Sequence, residues 1–362
     1  MNPSLPPTTR AWVEIDLPAI DRNVGRIKQA LPPRVRYVAV VKANAYGHGM
    51  PEVATRLLQA GVDCFAVANV GEAARLREIG HDADILLLSP SLPGEMPRAV
   101  GLDLDVTLNS VAEAEALYVR QLRLPERLTA STEDEWVLWD VGLGSAANVT
   151  TALRHLAGIP KRICIVSFDH TLEPLRFARD HAQELGYPLG FETPFSALLE
   201  HHQCEFVHDR LSVRWQAEVA DFPTLIRSAA PLPAPHAIFY DAYSPARNPA
   251  MWTLPLFQRL FERLDPTRPC AMATYSRATL LRTTLLRAGF CVGAGEATGE
   301  KEETTLAGNT LSLIPRPLGS DWLGRALRST SAEPLESAVY RQAPLSEGTR
   351  AALLGHPQFR QD

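Results

Sequence analysis

Short apolar runs alternate with helix-period segments through most of this chain, and few folds accommodate that alternation. From Trp12 the order is WVEIDL, PAIDRNVGRIKQAL, VRYVAVVKANAYGHG, PEVATRLLQAG, DCFAVAN, VGEAARLREIG, ADILLLSP, a short helix and LDVTLNS. It resumes at Trp136 with WVLWDVGLGSAANVTTALRHLAG, then RICIVSF and TLEPLRFARDHAQEL. Later come AIFY, WTLPLFQRLFERL, CAMATYS and RATLLRTTLLRAGF. Regular strand–helix succession predicts parallel βα units, since parallel strands need a crossover long enough for a helix. FCVGAGEA and KEETTLAG read as a closing antiparallel hairpin around TGEK. No sequence repeat accompanies the alternation, so the repetition is architectural.

Composition narrows the setting. The chain has 362 residues, 46% hydrophobic and 21% charged, which predicts about two soluble domains with ample core. A formal charge of -5 excludes a general basic coat and leaves room for a local patch that binds RNA. Cys64, Cys164, Cys204, Cys270 and Cys291 are scattered and odd in number, so neither a disulfide framework nor a thiolate metal site is expected. No apolar run approaches the ~20 residues of a membrane span, and MNPSLPPTTR lacks the apolar core of a signal peptide. The expectation is a cytoplasmic protein with no membrane partner.

In the first block the chemistry centres on Lys42, which closes the run YVAVV and is followed by Asn44, Tyr46 and His48. A lysine at the end of a buried strand can be desolvated, which frees its amine for a Schiff base; a solvated strand end is the plainer alternative. VVKANAYGHG resembles the pyridoxal-phosphate lysine motif of alanine racemases, and the similarity runs from about Arg10 to about Leu117 through WVEIDL, VANVGEAARLREIG and ILLLSP. The resemblance implies that Lys42 carries the cofactor and that Tyr46 contacts its phosphate. It stops after about four of the eight βα units of a barrel. The arginine facing the pyridine, most of the phosphate cup and the second catalytic tyrosine have no match here, so racemase activity is not expected.

The junction is VAEAEALYVRQLRL, read as one amphipathic helix with Ala114, Leu117, Tyr118, Gln121 and Leu122 on one face. PERLTASTEDE follows as a polar linker or loop. The predicted organisation is a partial βα domain over 1–110, a shared helix and linker over 111–133, a second α/β domain over 134–314, and a tail with short helices over 315–362. Such a junction reads as a natural fusion or as a recombined gene.

In the second block, Trp136 to Trp139 leads to Asp140 and a turn with Gly142 and Gly144 before a helix. Glycines let a ligand approach the backbone, and a helix start offers unpaired N–H groups. RICIVSF ends in Asp169, which either takes ribose hydroxyls or caps the next helix. Acidic residues at successive strand ends would repel a pyrophosphate, so a cofactor with a cationic amino acid part fits better. S-adenosylmethionine is such a cofactor, with its amino group at Asp140, its ribose at Asp169 and its adenine near Glu218. Farther on, FYDAYSPARNPAMW delivers Asp241 from an apolar strand into a turn with Tyr243 and Pro245. Turn chemistry alone would explain those residues; a strand end in an α/β sheet also makes them a candidate site.

DVGLGSAAN, VSFD, FYDAYSPARNPAMWTLPLF, ATYSRATLLRTTLLRAGF and TGEKEETTLAG occur in an order similar to that in the methyltransferase domain of bacterial tRNA 5-methylaminomethyl-2-thiouridine biosynthesis. The similarity covers about Val111 to Ile314. It implies a Rossmann-like fold after the partial barrel-like domain, with S-adenosylmethionine used to methylate the aminomethyl group of a wobble uridine. Departures are Ser145 and Ala146 where the glycine loop usually reads T-G, Asp140 for glutamate, and Glu218 for aspartate. On this reading Asp241 orients the amine, whose proton goes to solvent or to Asp241, and Tyr243 and Pro245 shape the pocket and stack on the base. Arg247 and Lys301, with Arg277, Arg282 and Arg287, present charge to tRNA phosphates or form a solvated face. A pyridoxal enzyme and a non-catalytic binding module are the competing classes.

Overall fold

The computed structural model describes residues 14–32, 35–79, 83–88, 95–104, 114–228, 230–295 and 303–360. The chain divides into two compact units, residues 1–109 and 110–362. In the first, β1 (Ala39–Val40), β2 (Cys64–Val67) and β3 (Asp84–Leu87) form a parallel sheet in the order β1-β2-β3. Helices Leu17–Ala30, Met50–Gln59 and Val70–Glu78 bury Val24, Met50, Ala54 and Ala73 against Phe65 and Val67. This is the partial βα arrangement that the alternation predicts.

WVEIDL is not a strand where it is described. Residues 14–16 are irregular, and a helix begins at Leu17 because Asp16 accepts from the Ala19 amide at 3.1 Å and Pro18 suits a first turn. Most of LDVTLNS lies outside the described residues.

The second unit is built on one eight-stranded sheet. Its strands are β4 (Trp136–Val141), β5 (Arg162–Asp169), β6 (Gln203–His208), β7 (Leu211–Val219), β8 (Ala237–Tyr240), β9 (Ala271–Thr274), β10 (Cys291–Ala294) and β11 (Thr305–Gly308). The order is β10-β11-β9-β8-β4-β5-β7-β6. Strands β8, β4, β5 and β7 run parallel, and β11 pairs antiparallel with both β9 and β10. The expected terminal hairpin is therefore present, with its joining loop outside the described residues. The chain winds outward from β4 through β5 to β7, then returns to β8 on the other side of β4. That reversal makes the carboxyl ends of β4 and β8 the switch point of the sheet, and open α/β sheets bind ligands in the crevice at such a point.

Period-two alternation gives each face of the sheet its own core. Val137, Trp139, Val141, Ile238 and Tyr240 face one way, and Trp136, Leu138, Ala237 and Phe239 the other. The 114–130 stretch belongs to the second of these cores through Leu117, Tyr118, Leu122, Leu124 and Leu128. It is not one α-helix. Glu115–Arg120 is a π turn, Arg123 is left-handed, and a new helix runs Leu124–Ala130. The expected PERLTASTEDE loop is thus partly helical, because Pro125 occupies a first turn and Leu124 and Leu128 are spaced to bury together. TLEPLRFARDHAQEL likewise breaks at His181 into Glu173–Asp180 and Ala182–Leu185.

The 315–362 stretch contains the short helices that were expected, Ser320–Arg328 and Glu347–Leu354. It also contributes Leu318, Trp322, Ala326, Leu335 and Leu353 to the first core. Gln358 anchors it to the sheet edge, accepting from the Val292 amide at 2.8 Å and donating to the Val292 carbonyl at 2.7 Å. No helix among the described residues is long and apolar enough to cross a membrane.

Candidate active site

Asp140, Asp169, Glu218 and Asp241 stand at or just beyond the carboxyl ends of β4, β5, β7 and β8, which are neighbours in the sheet. Cross-strand register sets Asp140 between Ser167 and Phe239, and places Glu218 beside Phe168. Asp241 follows one residue past β8, its amide donating to the Val141 carbonyl at 2.9 Å. The rim is strongly acidic, as a site for a cationic ligand would be.

Asp140 is 1% exposed. Its Oδ2 accepts from Ser167 Oγ at 2.8 Å, and Ser167 Oγ in turn accepts from the Trp215 indole at 2.9 Å. Its Oδ1 is buried without a hydrogen-bond partner. Burial, with Asp241 and Asp169 adding repulsion, raises its carboxyl to about 7 even though the Ser167 hydroxyl pulls the other way. An orphaned buried oxygen among like charges is the arrangement that a ligand ammonium would complete.

The glycine loop connects β4 to the Ala147–Leu156 helix. Gly142 has φ +97° and lies so close to Asp241 that a Cβ would meet the Asp241 carbonyl oxygen at 2.6 Å. Only glycine fits there. Gly144 is the opposite case: it has φ +51° and open space where a Cβ would stand, room for a ligand to reach the backbone. Ala146, where the resemblance expects glycine, is also left-handed at φ +63° and is buried.

Asp169 is not a helix cap; Leu172 precedes the Glu173–Asp180 helix. Asp169 Oδ2 accepts from the Gly144 amide at 2.9 Å, and Oδ1 from the His170 amide at 2.8 Å. It braces the glycine loop. Tyr187 does the same from the opposite side, its hydroxyl donating to the Ser145 carbonyl at 3.0 Å. Glu218 is half-buried on the opposite face of β7 from Trp215 and Ala217.

Asp241 is half-buried, and its Oδ2 accepts from Asn148 Nδ2 at 2.7 Å. Asn148 lies in the first turn of the helix after the glycine loop, so one side chain joins the two halves of the crevice. Tyr243 is 68% exposed at the lip, with the Arg247 guanidinium 5.8 Å from its ring centroid and half-buried Pro245 between them in sequence. The Trp252 indole donates to the Tyr243 carbonyl, and the Tyr240 hydroxyl to the Met251 carbonyl, so the loop is pinned to the core at its base.

Sequence reasoning missed Asn148, Ser167 and Tyr187. A polar residue in the first turn of a helix at a strand end was a usable signal for Asn148; the other two read as ordinary core or turn residues. Arg282, expected among the surface charges, is 2% exposed and spends its donors internally. It reaches Thr305 Oγ1 at 3.1 Å, Glu303 at 2.9 Å and the Thr304 carbonyl at 2.9 Å. A buried arginine persists only when so paired. Lys301 lies outside the described residues. Among the described residues no group of three or more histidine, cysteine or acidic side chains is placed to hold a metal.

In the first unit Lys42 is half-buried just past β1 and opens a turn in which Ala43, Asn44, Ala45 and Tyr46 all have φ between 51° and 56°. Glu72 holds the turn, accepting from the Ala43 amide at 2.7 Å and the Ala68 amide at 2.8 Å, while Asn44 accepts from the Met50 amide at 3.0 Å. Tyr46 is 60% exposed. The amine suits pyridoxal phosphate, but two of the amides around it are already committed and the sheet beside it has three strands. An amine and an exposed phenol are the two groups here that the resemblance assigns to pyridoxal phosphate.

Comparison with known proteins matches two separate stretches of the chain. The family model described as "Alanine racemase, N-terminal domain" matches residues 15–133, and that described as "S-adenosyl-L-methionine-dependent methyltransferase" matches residues 196–310. Alanine racemase from Nostoc sp. is 48% identical over 106 residues, covering 29% of this chain and 28% of that protein. The racemase of Geobacillus stearothermophilus is 44% identical over 110 residues, 30% of this chain and 28% of its own length. The chain thus spans under a third of the curated relatives it matches. Among solved structures, a crystal structure of MNMC2 from Aquifex aeolicus is 27% identical, with coverage of 69% of this chain and 76% of that one and a TM-score of 0.47. The N-terminal third resembles part of an alanine racemase barrel, and the remainder, a Rossmann-like sheet, resembles an S-adenosylmethionine-dependent methyltransferase domain through residues 196–310.

Proposed function

We propose that this protein is a cytoplasmic N-methyltransferase that acts on the aminomethyl group of a tRNA wobble uridine, with Asp241 as its catalytic carboxylate. The observation that carries this reading is the convergence of Asp140, Asp169 and Asp241 on the glycine loop at the switch point of the sheet. Asp140 would hold the amino group of S-adenosylmethionine through its orphaned Oδ1, the backbone around Gly144 would line the remainder, and Asp169 and Glu218 would lie toward the ribose and adenine. The cofactor, when bound, supplies an electrophilic methyl group on a sulfonium.

The residues of the chain provide the rest. An alkyl amine has a pKa near that of lysine, about 10, and must shed a proton before it can act as a nucleophile. Asp241, fixed by Asn148, is placed to accept that proton and to aim the nitrogen lone pair. Tyr243 at the lip offers an exposed ring on which a base can stack, and Arg247 beside it offers charge to a neighbouring phosphate. Most of the acceleration then comes from holding the two reacting groups in line.

Calorimetric titration with S-adenosylmethionine, followed by methyl transfer to undermodified tRNA, tests the reading. Saturable binding and tRNA methylation are expected. Asp241→Ala should lower turnover by at least about a hundredfold, within the range for a general base, with cofactor affinity nearly unchanged. Absence of binding would leave a non-catalytic module as the better description, and wild-type turnover in Asp241→Ala would remove Asp241 from the chemistry.

A further inference from the structure

The glycine loop holds a backbone conformation that few residues adopt. Gly142, Gly144 and Ala146 all have positive φ, at +97°, +51° and +63°, and Ala146 meets a steric penalty there that glycine does not. Such a backbone persists only where its surroundings fix it. Two contacts do so from β5: the Phe168 carbonyl accepts from the Gly142 amide at 2.9 Å, and Asp169 from the Gly144 amide at 2.9 Å. The Tyr187 hydroxyl supplies a third, donating to the Ser145 carbonyl at 3.0 Å.

Tyr187 sits in the short irregular stretch between the Ala182–Leu185 and Glu192–His201 helices. That stretch has anchors of its own. Pro188 and Phe191 are buried, and one guanidinium nitrogen of Arg154, Nη2, donates to the Tyr187 and Leu189 carbonyls, the second at 3.0 Å. The guanidinium carbon lies 5.1 Å from the Phe191 ring centroid, so the arginine is seated on a buried aromatic. Arg154 belongs to the helix that follows the glycine loop, Ala147–Leu156. The contacts therefore close a ring: the helix carries Arg154, Arg154 holds the Tyr187 backbone, and the Tyr187 phenol reaches back to the loop. With its own segment secured elsewhere, the phenol serves the loop and not the reverse.

We infer that Tyr187 is a positioning residue for the glycine loop, placed by Arg154, and that this strap sets how tightly S-adenosylmethionine is held. The consequence for the cofactor rests on the methyl-transfer reading above; the strap itself does not. A loop that adopts its binding shape for only a fraction of the time binds more weakly by that fraction. Tyr187→Phe keeps the ring and removes the donor. Affinity for S-adenosylmethionine should fall about threefold to tenfold, the loss typical of one neutral hydrogen bond, while turnover at saturating cofactor stays within about twofold of wild type. Arg154→Met should weaken binding by a similar factor. Combining the two should cost less than about twofold beyond the larger single loss, since both act through one contact.

A second readout needs no ligand. In hydrogen exchange followed by mass spectrometry, the amides of residues 142–146 should exchange faster in Tyr187→Phe, while those of β6 and β7 keep their wild-type rates. Unchanged exchange at 142–146 would overturn the proposal, as would unchanged cofactor affinity. Faster exchange throughout the sheet would mark general loosening and count against it equally, and losses that multiply in the double variant would remove Arg154 from it. If the wild type binds no S-adenosylmethionine, the functional reading fails, and exchange in the glycine loop alone still decides whether Tyr187 holds it.

Discussion

Asp140 shows how a single buried carboxyl ties stability to function. In the fold its pKa is about 7, raised by burial from an ordinary 3.8. Between those values the folded chain keeps a proton that the unfolded chain has lost. The stabilisation is therefore complete below about pH 4 and declines as the pH rises through about 7, at about 1.4 kcal/mol per unit. Asparagine carries no such proton. Asp140→Asn should match the wild type near pH 4 and exceed it at pH 8 by a few kcal/mol, about 4 at most, in urea denaturation at the two pH values. The same variant should bind S-adenosylmethionine at least tenfold more weakly, because the acceptor for its ammonium has lost its charge. Asp140 was legible in the sequence as an acidic residue at a strand end. Its buried relay through Ser167 to Trp215 was not, since a serine and a tryptophan on other strands carry no mark of their register.

At the scale of elements, strands and their ends were readable because apolar runs bounded by glycine, aspartate or proline have one common interpretation in an α/β chain. Segments whose structure depends on distant partners were harder. The π turn over Glu115–Arg120 has the same apolar spacing as an ordinary helix; what distinguishes its setting is Gln121, just beyond it, bonded to Thr304 and Thr305 far along the chain. The 315–360 stretch looked irregular because its buried residues follow no period. Leu335 nevertheless is fully buried, and its carbonyl accepts from the Leu254 amide at 2.8 Å. Leu335→Ala should cost about 2–5 kcal/mol, whereas Val339→Ala, four positions on and 66% exposed, should change stability by under about 0.5 kcal/mol. Equilibrium urea melts of the second unit's tryptophan fluorescence separate the two cases. Arginines misled for a related reason: helical spacing cannot tell a solvated charge from Arg282, which is buried in its own network.

At the scale of the molecule, the two units have separate cores: the three-stranded sheet has its own, and the eight-stranded sheet has one on each face. Units with cores of their own unfold as separate cooperative transitions. Scanning calorimetry should therefore resolve two transitions. Saturation with S-adenosylmethionine should raise only the one belonging to residues 110–362, by about 2.7 kcal/mol at a hundred times the dissociation constant. A ligand-induced rise in both, or in the other alone, would contradict the assignment of the cofactor to the second unit.

The contact between Gly142 and the Asp241 carbonyl has one more consequence. Two loops packed backbone to backbone, with no room for even a methyl group between them, move as one body. A ligand that settles the glycine loop also settles the loop that carries Asp241, and an acceptor seated at Asp241 stiffens the glycine loop in return. Such coupling is reciprocal by thermodynamic necessity. On the proposed methyl-transfer reading, cofactor and acceptor should therefore bind synergistically, each tightening the other's affinity in paired titrations.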